Sequence, residues 1–212
     1  DNMTEFDDEI DQEQVFKDLL QGVEEVTGKK SVIAGGAVRD WLLGYEINDY
    51  DVFVFGTEKI EDEWIDRFKK LSDDGVITNV KMSVKSTYNK AIGKAVQNIT
   101  WPTVEFMYAG TKVQVMHQKG TSITDLFIGF DFNICWFAYD SSGYVEKWLN
   151  VDKLKSKKYK LELNTIYEIL VPVNTLKRWK KFSEKYGLET EPESMARILG
   201  ALASECNEPK AE

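Results

Sequence analysis

The stretch Ala34–Val54, AGGAVRDWLLGYEINDYDVFV, decides the fold, because it joins a short apolar strand to two glycines and then to a helix. A glycine has no Cβ, so Gly35 and Gly36 let the backbone come close to a bound group. The free N–H groups at the start of the following helix attract phosphate. Arg39 lies in the first turn of that helix, where its planar guanidinium can hold two phosphate oxygens. The pattern therefore predicts a phosphate-binding turn followed by a short helix that Gly44 ends.

Two aspartates follow this turn on a predicted strand, Tyr50–Phe55, and on the residue just before it. Side chains two residues apart on a strand point to the same face, so the carboxylates of Asp49 and Asp51 lie together. Two carboxylates so placed repel each other unless a cation lies between them. Oxygen ligands favour Mg²⁺ or Mn²⁺, and the pair predicts the arrangement that two-metal phosphoryl transfer needs, with metals bridging the acceptor oxygen and the phosphates. The chain contains neither a G-x-G-x-x-G fingerprint nor the G-K-[ST] of a P-loop, which excludes those two nucleotide-binding classes.

The composition is that of a globular protein with one sizeable domain, or one domain and a small appendage. The chain has 212 residues, 42% of them hydrophobic. An apolar run of about 18 residues is absent, so the sequence predicts no transmembrane helix and no membrane partner. The acidic N-terminus predicts no secretory signal peptide. Cys135 and Cys206 lie in unlike surroundings, which predicts a reducing cytoplasm, that of the host cell if the protein is viral. Two cysteines and one histidine cannot supply the four ligands of a structural zinc site.

Charge is unevenly distributed along the chain, whose formal net charge is −9. Residues 1–28 contain ten Asp or Glu and one Lys, a local charge of −9. Residues 147–185 contain eleven Lys or Arg and four Asp or Glu, a local charge of +7. The basic segment indicates either a contact with a polyanion or a solvated helix face. Four of its residues lie on one predicted helix and could follow an RNA backbone: Lys177, Arg178, Lys180 and Lys181.

The rest of the chain alternates predicted helices and strands. Residues 81–100 are polar with scattered apolar residues, which predicts a mobile loop. The last twenty residues are polar, which predicts partial disorder. Pro172 predicts a break within the last helical segment. The regular elements predicted outside the deciding stretch are helices ending at Gly28 and covering residues 58–71 and 161–185, and strands over residues 76–80, 103–108 and 111–117.

Three segments resemble one family, the CCA-adding tRNA nucleotidyltransferases and bacterial poly(A) polymerases. Residues 35–52, GGAVRDWLLGYEINDYDV, are similar to its GG-x-x-RD-x-LLG motif followed by D-x-D. Residues 125–140, DLFIGFDFNICWFAYD, are similar to its DL-x-RRDFT-x-NA-x-AYD segment. Residues 174–194, NTLKRWKKFSEKYGLETEPES, resemble its neck helix, which reads roughly LR-x-x-RFA-x-x-x-GF-x-x-x-PET. The three motifs occur in the family's order and cover most of residues 30–195.

The resemblance implies an α+β fold: a polymerase-β-like nucleotidyltransferase head, with a small mixed sheet and flanking helices, followed by a helical neck. It places the head and the N-terminal acidic helix in residues 1–145, the neck in residues 146–195 and a polar tail in residues 196–212. It also implies roles for the site residues. Asp49, Asp51 and Asp131 would be catalytic, with Asp49 and Asp51 holding Mg²⁺ or Mn²⁺. The residues that would contact the NTP are Gly35, Gly36, Arg39 and Asp40, of which Asp40 would orient Arg39 or cap the turn.

Two departures from the family pattern affect the site. Gly129 and Phe130 stand where the family has paired arginines that help to hold the nucleotide. Gln114 stands on the strand where the family has a third catalytic carboxylate, and a neutral amide is a poor metal ligand for this task. Glu105, on the preceding strand, or Asp131 could take the role of that carboxylate.

The chain also differs from the long members of the family in extent. It ends where they continue into regions that grip tRNA, and its neck has no clear copy of the base-selecting E-D-x-x-R motif. It is similar to the short head-plus-neck members of phage genomes, which also carry a glutamine on the strand and an FDF segment.

Three functions follow as alternatives. The first is metal-dependent transfer of a nucleoside monophosphate from an NTP to an RNA 3′ end, tRNA above all, which the basic neck favours. The second is nucleotidylation of a small molecule or a protein, which the acidic total charge and the short chain favour. The third is a binding or structural module that keeps the fold without catalysis, which Gln114 and the lost arginines favour.

Overall fold

The computed structural model describes the backbone of residues 11–92 and 95–207, and the side chains of residues 11–84 and 102–207. A short 3₁₀ turn covers Asn133–Cys135. In chain order the elements are α1 (Gln12–Thr27), β1 (Ser31–Ala34), α2 (Gly36–Leu43), β2 (Asp49–Phe55), α3 (Asp62–Asp73), β3 (Thr78–Ile92), β4 (Ala95–Tyr108), β5 (Thr111–Gln118), α4 (Ile123–Ile128), β6 (Ala138–Asp140), β7 (Gly143–Val145), α5 (Val151–Lys155), α6 (Pro172–Tyr186) and α7 (Pro192–Asn207).

The strands of the described residues form one mixed seven-stranded sheet in the order β3-β4-β5-β2-β1-β6-β7. β2 and β5 run parallel, and the other neighbouring pairs are antiparallel. The parallel pair arises because α3 and the β3–β4 hairpin form the crossover between β2 and β5. These strands with their flanking helices confirm the predicted α+β class.

The two faces of the sheet differ in character. One face packs against α1, α2 and α3 through the main core, to which Val52, Val54 and Val113 contribute. The opposite face is covered at one end by α4, whose Leu126 and Phe127 pack on the strands. The rest of this opposite face carries polar side chains, and we call it the open face. Because strand side chains alternate, the odd-numbered residues of β2 lie on the side of α4: Phe53 and Phe55 under that helix, and Asp49 and Asp51 on the open face.

The β3–β4 hairpin corrects the prediction of a mobile loop over residues 81–100. Ile92 pairs with Ala95 at the end of a ladder that begins near Thr78. Register shifts interrupt that ladder after Thr78 and after Val84, so the strict two-residue alternation on which strand prediction depends is lost. The strand predicted over residues 76–80 is therefore the start of a much longer one.

The C-terminal part corrects two further predictions. Pro172 does not interrupt a helix but begins α6, as its fixed φ and missing N–H allow at a first helical position. Residues 161–171 precede α6 without regular helix. Partial disorder of the last twenty residues is wrong up to Asn207, because α7 buries Ile198 and its Arg197 donates to two backbone carbonyls. Residues 208–212 lie outside the described residues. Within the described part of the chain, no helix has both the length and the apolar character that a membrane crossing requires.

Candidate nucleotide and metal site

The Gly35–Gly36 turn lies between β1 and α2 and beside the paired aspartates. Gly35 has φ 83° and ψ −133°, a conformation that residues with a Cβ rarely adopt. Ile33 is opposite Val52 in the antiparallel register of β1 and β2, and continuing that register places Ala34 beside Asp51. The turn therefore begins next to Asp51, and no side chain caps the start of α2. The N–H groups of this first turn are available to an anion.

Asp49 and Asp51 both lie on the open face, at the beginning of β2. The Asp49 side chain is 46% exposed, and its Oδ2 lies 4.0 Å from Nζ of Lys112 on β5. Asp51 is more enclosed, with a buried Oδ1. The structure thus brings together the two carboxylates that the sequence predicts as metal ligands, at the edge where the glycine turn begins.

The two carboxylates at the start of β2, Asp49 and Asp51, fit one divalent cation that is carried by a triphosphate. Mg²⁺ usually keeps several waters and takes one or two carboxylates together with substrate phosphates. Asp49 and Asp51 provide that number of carboxylates. Over the described ranges, no three His, Cys, Asp or Glu side chains converge on a common point. The residues therefore fit a nucleotide-bound metal better than a pair of metals.

Gln114 and Glu105 continue the row that starts at Asp51. Gln114 is opposite Asp51 in the parallel β2–β5 register, and Glu105 is opposite Gln114 on β4. Two strand spacings, about 10 Å in total, separate the Asp51 and Glu105 backbones. Glu105 instead lies 4.0 Å from the ammonium of Lys81. Gln114 is thus the nearest neighbour of Asp51 on β5, and Glu105 lies one strand beyond it.

Arg39 is buried, with 4% of its surface exposed. Its Nη1 donates to the Ile134 carbonyl at 3.3 Å, and its Nε donates to Asp40 Oδ1 at 3.3 Å. Its Nη2 lies 3.1 Å from where a Cβ on Gly36 would be. The Arg39 guanidinium therefore lies against the glycine turn, and a glycine at position 36 leaves room for it.

Asp40 faces the neck helix α6. Its Oδ1 accepts from the Tyr186 hydroxyl at 2.5 Å, and its Oδ2 accepts from Lys185 Nζ at 3.1 Å. Together with the Arg39 bond, these contacts engage both oxygens of a side chain that is 6% exposed. Of the two roles predicted for Asp40, orienting Arg39 agrees with this geometry, whereas capping the turn does not, because no side chain caps the start of α2. Both oxygens of Asp40 are engaged within the protein, which does not fit direct contact with a nucleotide.

Asp131 and Arg178 pair with each other. Arg178 Nε donates to Asp131 Oδ2 at 2.5 Å, and its Nη2 donates to Oδ1 at 3.0 Å. The Phe132 N–H also donates to Oδ1. Asp131 was predicted as a catalytic carboxylate and Arg178 as an RNA contact, but this two-point pair ties each of them to the junction of α6 with the head. Asp131 is thus engaged by Arg178, and Arg178 reaches the head instead of lying with its lysine neighbours.

The remaining predicted RNA contacts lie together on the exposed side of α6. Lys177, Lys180 and Lys181 line a shallow depression with Glu184 and Lys185, and we call these five residues the lysine face. Lys180 also lies 4.0 Å from Glu184, as an exposed pair one helical turn apart. This face carries a net charge of +3 from four lysines and one glutamate.

The sequence alone did not predict that two aromatic rings of α6 pack against the Arg39 guanidinium. The Arg39 guanidinium lies 4.6 Å from the ring centroid of Tyr186 and 5.2 Å from that of Phe182. Helical spacing offers the signal, because residues 178, 182, 185 and 186 recur at intervals of three and four and so share one face of α6. That face points towards the head, whereas Lys177, Lys180 and Lys181 point away from it. Lys185, which reaches Asp40, lies at the border between this face and the lysine face.

Comparison with solved structures shows the fold. The chain aligns with a structure described as a tRNA-processing enzyme (apo form I), with a TM-score of 0.58 and 18% identity over 90% of this chain and 46% of the other. A tRNA nucleotidyltransferase complexed with a primer tRNA and an incoming ATP analogue gives 0.57 and 18%, over 88% and 50%. A CCA-adding enzyme with ATP gives 0.57 and 19%, over 91% and 42%. The chain spans about half the length of these proteins. The likeness confirms the predicted nucleotidyltransferase head followed by a helical neck.

Comparison with protein sequences shows the family. No curated protein matches the chain significantly. A family model described as "Gabija anti-defense 2 family protein" matches residues 8–153, which is more than half of the chain and includes the glycine turn, both aspartates and Gln114. The chain therefore belongs to the Gabija anti-defense 2 family.

Proposed function

We propose that the chain is a metal-dependent nucleotidyltransferase that moves a nucleoside monophosphate from an NTP to an acceptor hydroxyl. The observation that carries this proposal is the position of the Gly35–Gly36 turn directly beside Asp51, on the face that also carries Asp49. An anion site next to two carboxylates is the arrangement that a metal-bound triphosphate requires.

Each residue has a definite task in this reaction. Asp49 and Asp51 would hold Mg²⁺ or Mn²⁺, which when bound neutralises charge on the phosphates. The N–H groups at the start of α2, which begins at Gly36, and the guanidinium of Arg39 would hold the triphosphate oxygens. The acceptor oxygen forms a bond to the α-phosphorus while the bond from that phosphorus to the β-phosphate bridging oxygen breaks, and pyrophosphate leaves. The hydroxyl proton passes to solvent. Catalysis then consists mostly of positioning and charge stabilisation.

For the acceptor, we propose an RNA 3′ end. The lysine face supports this choice, because Lys177, Lys180 and Lys181 give a charged, solvent-accessible surface on the neck. The fold likeness to an enzyme captured with a primer tRNA agrees with it. The division into head, neck and C-terminal segment near residues 145 and 195 belongs to this proposal, with α6 and its lysines in the neck.

A second candidate is nucleotidylation of a protein or small molecule. The description "anti-defense" favours it, because modification of a defence component would disarm that component. The net charge of −9 also favours a protein or small-molecule acceptor, because an acidic protein repels nucleic acid overall. Either activity agrees with a short phage-type member acting in the cytoplasm of a host cell.

Labelling separates the candidates. Each of the four NTPs, labelled at the α-phosphate, is incubated with the protein and Mg²⁺, together with total tRNA, with host protein extract or with neither. Label transferred to RNA supports the first candidate, and label on a protein or small molecule supports the second. If calorimetry detects no NTP binding with Mg²⁺ and no label moves, the enzymatic proposal is wrong, and a binding module that keeps the fold remains.

A further inference from the structure

Helix α6 packs against the predicted phosphate-binding arginine, which also lies beside the glycine turn. The guanidinium of Arg39 stacks on the rings of Tyr186 and Phe182, both of which are buried. Its Nη2 lies close to Gly36. A long side chain that would otherwise sample many rotamers is therefore held in one place by residues far away in the sequence.

The carboxylate of Asp40 connects Arg39 to α6. One of its oxygens accepts from both Arg39 Nε and the Tyr186 hydroxyl, and the other accepts from Lys185. Burial of the Tyr186 phenol, together with the neighbouring carboxylate, raises its pKa. The phenol therefore stays protonated near neutral pH and keeps donating to Asp40. Bonds to a buried charged group are among the stronger ones in proteins.

We propose that Tyr186 is a positioning residue, which through Asp40 fixes Arg39 in the orientation that binds the triphosphate. Lys185 supports the same carboxylate from its other oxygen. This inference rests on the proposed nucleotidyltransferase function and deepens it: the nucleotide site would be completed by the neck and not by the head alone. Without the Tyr186 hydroxyl, Asp40 loses a buried hydrogen-bond donor. The Arg39 guanidinium is then held less firmly and can turn away from Gly36.

The main variant is Tyr186→Phe, which keeps the ring beneath Arg39 and removes only the hydroxyl. The matched control is Tyr159→Phe, because Tyr159 is a partly buried neck tyrosine whose hydroxyl accepts from the Asn150 N–H instead. Calorimetry with Mg²⁺ and an NTP should give about tenfold weaker binding for Tyr186→Phe and little change for the control. Binding of the corresponding nucleoside, which has no phosphates, should not change. Urea unfolding confirms that both variants are folded.

A double-mutant cycle distinguishes positioning from a general structural role. If Tyr186 acts through Arg39, adding Tyr186→Phe to Arg39→Lys should weaken NTP binding no further than Arg39→Lys alone. Additive losses, or an equal loss for the nucleoside, would overturn the positioning role. If Tyr186→Phe does not fold, Lys185→Met tests the same carboxylate. A parent protein that binds NTP and is unaffected by these changes overturns only the positioning role, whereas a parent that binds no NTP overturns the proposed function with it.

Discussion

Gln114 lies directly beside Asp51 on the open face, because β5 runs parallel to β2 and the two residues share a register position. Its side chain is neutral and only 7% of the residue is exposed. A carboxylate at this position would complete a three-ligand site with Asp49 and Asp51. The amide cannot accept a proton near neutral pH and adds no negative charge. We therefore expect a protein that binds Mg²⁺ with NTP but transfers slowly.

Gln114→Glu tests this expectation. The new carboxylate should attract a second divalent cation and help to deprotonate the acceptor, raising the transfer rate on the order of tenfold or more. The affinity for NTP with Mg²⁺ should change by no more than about twofold, since the nucleotide-bound metal keeps its ligands. Steady-state transfer and calorimetric binding are measured on the parent and the variant.

Gln118→Glu is the control for this gain, because it introduces the same charge four residues further along β5. A parent enzyme that transfers quickly and loses activity on Glu105→Gln would show that Glu105 supplies the third carboxylate. Asp131→Asn, in contrast, should affect stability more than transfer, because Asp131 is engaged by Arg178.

Asp51→Asn should abolish Mg²⁺-dependent transfer and leave the fold intact. The substitution removes a charged metal ligand but keeps the size and shape of a partly buried side chain. Asp49→Asn should weaken metal binding less than Asp51→Asn does, because the Asp49 side chain is half exposed and already pairs with the ammonium of Lys112. Transfer is measured over a Mg²⁺ titration, with Asp66→Asn on the exposed side of α3 as the control. Full activity in the Asp49→Asn, Asp51→Asn double variant would show that the metal site lies elsewhere.

The local part of this site could be predicted because its signals lie within a few residues of one another. The glycine turn, Arg39 and the two aspartates all fall within Ala34–Val54, and strand alternation alone places Asp49 and Asp51 on one face. The contacts between head and neck could not be predicted in this way. Asp40 and Tyr186 are 146 positions apart, and only the packing of α6 on the head brings them together.

Arg178 shows why a basic composition alone does not identify the residues of a charged surface. A run of basic residues predicts a charged surface, but a helix sends neighbouring residues to different faces. Arg178 shares a face with Phe182, on whose ring it also lies, at 4.9 Å from the centroid. Its lysine neighbours lie on the other face. The β3–β4 hairpin over residues 81–100 escaped prediction for a different reason, because its register shifts hide the two-residue alternation of a strand.

Arg178→Gln should therefore destabilise the protein. It leaves the buried carboxylate of Asp131 without its cation, at a cost of about 2 kcal/mol, since the Arg178 side chain is 45% exposed and partly screened. The free energy of unfolding in urea measures this loss. Lys180→Gln, which removes an exposed pair with Glu184, should change stability by less than about 0.5 kcal/mol. The Asp131→Asn, Arg178→Gln double variant should recover part of the loss; strictly additive losses would contradict a direct pair.

Stability should decrease at alkaline pH in part because of Tyr139. Burial, and after it the nearby carboxylate of Glu13, raises the pKa of Tyr139 to about 12. The folded pKa thus lies above the unfolded value of about 10. The contribution of this phenol is present below pH 10 and is lost as the pH rises from 10 to 12, because only the unfolded chain releases the proton there.

Tyr139→Phe isolates that contribution. Between pH 10 and 12 the free energy of unfolding of the variant should fall less steeply than that of the parent, by up to about 1.4 kcal/mol per pH unit. The measurement is urea unfolding at several pH values. Tyr45→Phe, at a tyrosine with 44% of its surface exposed, serves as the comparison. Equal slopes for parent and Tyr139→Phe would show that this phenol ionises alike in both states.

If RNA is the acceptor, the lysine face should set the salt dependence of binding. Neutralising Lys177, Lys180 and Lys181 to glutamine removes up to three phosphate contacts, each contributing about 0.7–0.9 to the slope of log K against log salt. The slope should become shallower by roughly 2 to 2.7, and affinity should fall about equally for all RNA sequences, because phosphate contacts carry no base information. Filter binding or anisotropy between low and moderate salt measures both quantities.

The control for this triple variant removes the same number of positive charges from a different part of the protein. Lys59, Lys69 and Lys70 are exposed on the head, so their neutralisation lowers the total charge by the same amount away from α6. If the lysine face contacts the backbone, only the α6 variant should change the slope, since a local contact releases counterions and a distant charge does not. Equal shifts in both variants would indicate long-range steering alone. An unchanged slope in the α6 variant would remove the support that the neck gives to an RNA acceptor, and nucleotidylation of a protein or small molecule would become the leading function.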